Sequence, residues 1–189
     1  ATISLVLAGI MVRSMFSSGT SLIKLLADTE NTLPAITYWL MGSLASVRLA
    51  EVGYASLPIV GGLVVLLVLR WPLNLLTMWE DEARSMGLNV PLLRLLIITA
   101  TTLVTAASVS ISGMIGWIGL VIPHFSRMLV GYDYRVMLPT SMFMGASFLL
   151  VVDMIARSLT TAEVPLGILT AFVGAPFFLY LILRKGDKT

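Results

Sequence analysis

The chain contains no cysteine and only one histidine, His124, in 189 residues. A disulfide framework and a thiolate metal site are therefore excluded. One imidazole without neighbouring carboxylates fits a structural histidine at a helix end better than a metal centre. Charge is scarce as well, since Lys, Arg, Asp and Glu make up 12% of the residues. The net charge of +2 is too small to point to a nucleic-acid partner. These residues hold no HExxH motif, serine and histidine pair, or pair of buried aspartates, so they supply no intramembrane enzyme chemistry and call for no cofactor.

What the chain has in excess is apolar length. Hydrophobic residues make up 58% and the mean hydropathy is +0.97, the balance of a polytopic membrane protein and not of a soluble domain. A bilayer core takes about 20 mostly apolar residues per helix. Six stretches qualify: Ile3 to Leu26, Val52 to Leu69, Pro91 to Val109, Met114 to Val130, Val136 to Ala156 and Val164 to Leu183. The expected fold is all-α, a bundle of about six transmembrane helices over residues 1–189. A further apolar piece, residues 33–47, is too short to span comfortably and is flanked by Asp28, Glu30 and Arg48. It is expected to be a short extracytoplasmic interfacial or re-entrant helix, with Tyr38 and Trp39 at the headgroup level.

Basic residues set the orientation. With the C-terminus inside, the inner segments hold Arg70, Arg84, Arg94, Arg127, Arg135, Arg184, Lys185 and Lys188, and the outer ones only Lys24, Arg48 and Arg157. That bias favours cytoplasmic placement of residues 71–90, of the elbow from His124 to Arg135 and of the tail.

Residues 112–135 carry glycines three apart, Gly113, Gly116 and Gly119, which bare one helix face for a neighbouring helix. The letters loosely match a dinucleotide fingerprint, but no strand precedes them and no acidic ribose partner follows. Pro123 is expected to bend or end this helix, turning His124 and Arg127 toward the inner face as an elbow. Gly174, Ala175 and Pro176 are expected to interrupt the last crossing, which Glu163, Pro165 and Gly167 open. The eleven methionines are core or lipid-facing filler.

Three local features have both a plain and a functional reading. In the 71–90 loop, Glu80, Asp81, Glu82 and Arg84 lie on a short predicted helix stopped by Gly87, which on charge alone is a solvated linker. Arg13 stands in an uncharged segment, where an ionisable group costs a few kcal/mol unless it faces protein or water. Its hydroxyl neighbours Ser14, Ser17, Ser18, Thr20 and Ser21 either line a wet pathway or bond to the preceding helical turn. Asp153 and Arg157, four apart, can form an intrahelical pair.

Three separated motifs, WEDEARSMGLNV from Trp79, IGWIGLVIPHFSRMLVGYDYRVMLP from Ile115 and AEVPLGILTAFVGAPFFLYLILRK from Ala162, together resemble the FecCD family. These are permease subunits of ABC importers for ferric siderophores, haem and cobalamin. The resemblance implies the C-terminal portion of a type II importer permease, because members have roughly twice as many helices. It implies a cytoplasmic ATP-binding subunit, an extracytoplasmic substrate-binding protein and a second permease subunit as partners, in the lipid of a bacterial or archaeal cell membrane. By the same resemblance residues 71–90 are the ATPase-coupling loop, with Glu82, Ala83, Arg84, Ser85 and Gly87 at the interface. Small Ala83 and Ser85 would let it fit closely, and Glu82 and Arg84 would supply ionic contacts. The DMIAR pattern matches related vitamin B12 permeases, in which the arginine meets the binding protein, so Arg157 is expected to dock and Asp153 to orient it. The first helix is expected to line the translocation path, with Arg13, Ser17 and Ser18 on it.

An importer permease hydrolyses nothing itself, and an anionic ferric siderophore is the favoured cargo, with cobalamin or haem as alternatives. A secondary transporter or channel is the competing class, but its usual cluster of intramembrane carboxylates is missing, Asp153 being the one candidate.

Overall fold

The computed structural model describes residues 2–77, 80–159, 161–162 and 164–186. Of the residues singled out above, Trp79, Glu163 and Lys188 lie outside it. Every regular element described is helical: α1 (Thr2–Leu26), α2 (Thr32–Met41), α3 (Leu49–Val68), α4 (Arg70–Leu75), α5 (Glu80–Ser85), α6 (Val90–Ser112), α7 (Ile118–Val130), α8 (Tyr134–Leu159) and α9 (Leu166–Gly186). Contacts divide the chain into two units, residues 1–40 and 41–189.

In the first unit α1 and α2 are joined by a turn built on Asp28. Its carboxylate accepts from the Glu30 amide at 3.2 Å and from Asn31 Nδ2 at 3.3 Å, and its carbonyl accepts from the Leu33 amide at 2.8 Å. This is the local side-chain bonding that makes aspartate a turn former. Helix α2 is shorter than the 33–47 stretch expected, because Gly42 takes a left-handed φ of +79° directly after Met41.

Five of the described helices are long and apolar enough to cross a membrane: 3–26, 49–68, 90–112, 134–159 and 166–185. The fourth expected crossing, 114–130, is corrected. Only its 13-residue α7 portion is helical, about 20 Å of rise against a hydrocarbon core of about 30 Å. The reason is local: α6 closes at Gly113 with φ +68°, and Trp117 takes φ +70°, so residues between them leave the helical path. Pro123 does not end α7, which runs to Gly131 (φ +83°), and Gly174 to Pro176 do not interrupt α9. A proline in either helix removes one i→i−4 bond while the packed neighbours hold the rest.

In the second unit α3 and α6 pack together at Gly62, where an added Cβ would stand 2.5 Å from Val104 Cγ2 and 2.9 Å from the Ala100 carbonyl oxygen. Within the described residues of this chain, a Cβ at Gly116 or Gly119 would meet nothing within 4 Å. The close approaches fall on Gly62, Gly174, Gly42 and Gly167 instead. Gly42 lies in the loop after α2 and Gly167 in the first turn of α9, and the two meet. There the Ser43 amide donates to the Ser112 carbonyl at 2.8 Å, and the Gly167 amide to the Gly42 carbonyl at 3.3 Å. Helix α8 contacts α4, α7 and α9. No buried side-chain nitrogen or oxygen among the described residues lacks a hydrogen-bond partner.

Candidate functional site

Between α4 and α6 the chain makes a short projection, α5, of six residues. The Met86 amide donates to the Glu82 carbonyl at 3.3 Å and the Gly87 amide to the Arg84 carbonyl at 3.0 Å, and Gly87 turns the chain with φ +82°. This is the glycine stop expected from the sequence. Asn89 then caps α6 by accepting from the Leu92 amide at 3.2 Å, with Pro91 in the first turn, where its missing donor is harmless.

Asp81, Glu82, Arg84 and Ser85 are exposed. The expectation for Ala83 changes, because at 1% exposure it is buried in its own chain, on a helix that packs on α6. Its small side chain therefore serves the seating of α5 on this chain. The Ser85 hydroxyl donates to the Glu82 carbonyl at 2.6 Å and tightens the last turn.

A set of polar contacts that sequence reasoning missed ties α4, the helix before this projection, to the start of α8. Asn74 in α4 donates from Nδ2 to Asp133 Oδ1 at 2.8 Å and accepts at Oδ1 from the Tyr134 amide at 2.8 Å. Asp133 also receives Arg135, with Nη2 to Oδ2 at 2.9 Å, Nε to Oδ2 at 3.1 Å and the Arg135 amide to Oδ1 at 3.0 Å. The Asp133 carbonyl accepts from the Val136 and Met137 amides, so one residue starts α8 and ties it to α4. The Arg135 side-chain bonds, then its backbone bond and then Asn74 hold the Asp133 carboxyl well below the usual carboxylate range. An asparagine in the apolar run WPLNLL was the one available signal.

At the other end of α8, Arg157 Nε donates to Asp153 Oδ2 at 3.0 Å, so the expected i,i+4 pair forms. The arginine side chain keeps 48% of its exposure and the aspartate 18%, which leaves the guanidinium presented and the carboxylate behind it. In α1 the hydroxyls of Ser18, Thr20 and Ser21 donate to the carbonyls of Ser14, Phe16 and Ser17 at 3.0, 2.9 and 3.0 Å. Each hydroxyl is satisfied by its own helix. Arg13 and Ser17, one turn apart, share a face and are exposed.

Two hollows lie among α7 to α9. One, of about 210 Å³, is wholly apolar and bounded by Trp117, Phe125, Phe148 and Phe177; Phe125 and Phe177 stack at 4.8 Å between centroids. The other is an open recess of about 570 Å³ at the C-terminal ends of α7 and α9, lined by His124, Arg127, Arg184 and Lys185. Cations in the last turn of a helix offset its dipole, and no cluster of three His, Asp or Glu able to hold a metal occurs among the described residues.

The arrangement can be set beside known proteins. The chain is 44% identical over 184 residues to the molybdate import system permease of Haemophilus influenzae, covering 96% of this chain and 55% of the relative. It is 40% identical over 181 residues to the cobalamin import system permease of Halobacterium salinarum, covering 96% of this chain and 48% of the relative. A solved structure described as an inward-facing conformation of a metal-chelate type ABC transporter superposes with a TM-score of 0.88 at 45% identity, over 95% of this chain and 58% of that one. The chain thus spans about half the length of the curated relatives it matches. The model of the FecCD transport family matches residues 1–184, and this chain, a multi-pass membrane protein, belongs to that family.

Proposed function

We propose that this chain is part of a permease subunit of an ATP-driven importer, carrying a metal chelate or related metal-centred anion across the cell membrane. The observation that carries the reading is the match, in sequence and fold together, along nearly the whole chain to import permeases and to a metal-chelate type transporter. On this reading α5 meets the cytoplasmic ATPase through Glu82, Arg84 and Ser85, with Gly87 fixing its end and Ala83 seating it. Hydrolysis belongs to that partner. Arg157, oriented by Asp153, meets an acidic side chain of the extracytoplasmic binding protein. A second permease subunit completes the pathway, and the exposed apolar side chains of the spans face it or lipid.

The cargo we put first is an anionic ferric siderophore complex, since Arg13 offers a fixed positive charge beside Ser17 and Ser18 on a helix assigned to the path. Cobalamin and haem are the alternatives, and the similarity to a molybdate permease adds an oxyanion to the comparison.

The deciding experiment is uptake by the full-length permease reconstituted with its ATPase and binding protein, offered a ferric siderophore, haem, cobalamin and molybdate with and without ATP. ATP-dependent accumulation of one cargo supports the importer and names its substrate. Movement without nucleotide would sink the importer reading in favour of a secondary transporter or channel.

A further inference from the structure

Asn74 bonds to two consecutive residues, Asp133 and Tyr134, that lie 59 and 60 positions away. The asparagine amide donates to the carboxylate and accepts from the next backbone amide, both at 2.8 Å. Such a pair fixes orientation as well as distance, because an amide side chain can satisfy both partners in only one flip. The two bonds join α4, which ends four residues before α5 begins, to the residues that open α8. Helix α8 runs for 26 residues and carries Asp153 and Arg157 in its last two turns, Arg157 about 35 Å of rise from Tyr134. The turn it starts from is closed by the Arg135 bonds, so neither side of the contact is slack. Leu75, beside Asn74, is buried at 7% exposure, which seats α4 on the same body.

We propose that Asn74 and Asp133 are positioning residues that make α5 and α8 move as one body, so that displacement of the ATPase-facing projection reaches the Arg157 end of α8. The idea rests on the reading of α5 and Arg157 given under the proposed function. It differs from a purely structural tether in its consequence. Breaking the joint should leave the complex assembled and the ATPase running while the two ends lose communication, which is coupling through a rigid element with two arrangements.

The test uses the full-length permease with its ATPase and binding protein in proteoliposomes. Asn74→Ala removes both bonds, and Asn74→Asp sets two carboxylates against each other. Asn74→Asp combined with Asp133→Asn reverses the polarity and restores a donor at 133 for an acceptor at 74. Both single variants should keep complex yield and basal ATP hydrolysis within about two-fold of the unaltered protein. Stimulation of hydrolysis by the binding protein, and cargo moved per ATP, should fall five-fold or more, and the exchanged pair should regain most of both.

Normal stimulation in Asn74→Ala, failure of the exchanged pair to restore coupling at normal yield, or loss of uptake in step with loss of complex would each overturn the proposal. If the unaltered complex moves cargo without ATP, the importer reading itself fails, and with it the role of the joint.

Discussion

Gly174 in α9 and Trp117 at the start of α7 share one space: a Cβ on Gly174 would stand 2.5 Å from Trp117 Cβ and 3.0 Å from its Cγ. Trp117 cannot retreat easily, since it already holds a left-handed φ of +70° and its ring lies 6.0 Å from that of Phe178. Left-handed backbone costs a bulky residue roughly 1–3 kcal/mol and persists where packing over-determines it.

Gly174→Ala is therefore expected to push α7 from α9 and destabilise the protein by about 1–3 kcal/mol, the usual range for overpacking. Gly119→Ala is the contrast, because nothing lies within 4 Å of its added methyl. A thermal unfolding midpoint in detergent that drops for Gly174→Ala and holds for Gly119→Ala bears this out; equal midpoints would refute it.

The joint at Asp133 should resist acid. Its folded pKa is depressed, so its contribution is fully present above the ordinary aspartate value of about 3.9 and is lost only as pH falls through the lower folded value. The midpoint difference between the unaltered protein and Asp133→Asn should stay constant from about pH 7 to about pH 5 and narrow only below about pH 4. A difference that already fades between pH 7 and 5 would mean the carboxylate is not held as described.

Glu82 and Arg84 are exposed on α5, and on the proposed reading reversing either charge should weaken ATPase assembly. Glu82→Lys and Arg84→Glu are each expected to reduce co-purification of the ATPase or the cargo moved per ATP by about ten-fold, roughly what losing one well-placed ionic contact costs in association. Normal coupling in both variants would remove α5 from the interface.

At the far end of α8, Arg157→Glu should lower affinity for the binding protein by at least about ten-fold and raise its sensitivity to salt, with membrane insertion unchanged. Unaltered affinity, measured by surface capture of the reconstituted permease, would leave Arg157 as half of a local ion pair.

Much of the architecture was legible in the residues because a bilayer imposes a simple rule. Backbone polar groups must be satisfied within each segment, so apolar runs of spanning length become helices, and α1, α3, α6, α8 and α9 lie where those runs lie. The Gly87 stop and the Asp153–Arg157 pair were legible too, since both depend on neighbours within one or two turns. Residues 113–117 were not, because apolar composition cannot tell a helix from a glycine-rich extended approach, and the backbone at Gly113 and Trp117 settles it. Nor could spacing find the tight glycines or the partner of Asn74. Those depend on which surfaces meet after the chain has folded back on itself, and a contact across 59 positions leaves no periodic trace along the chain.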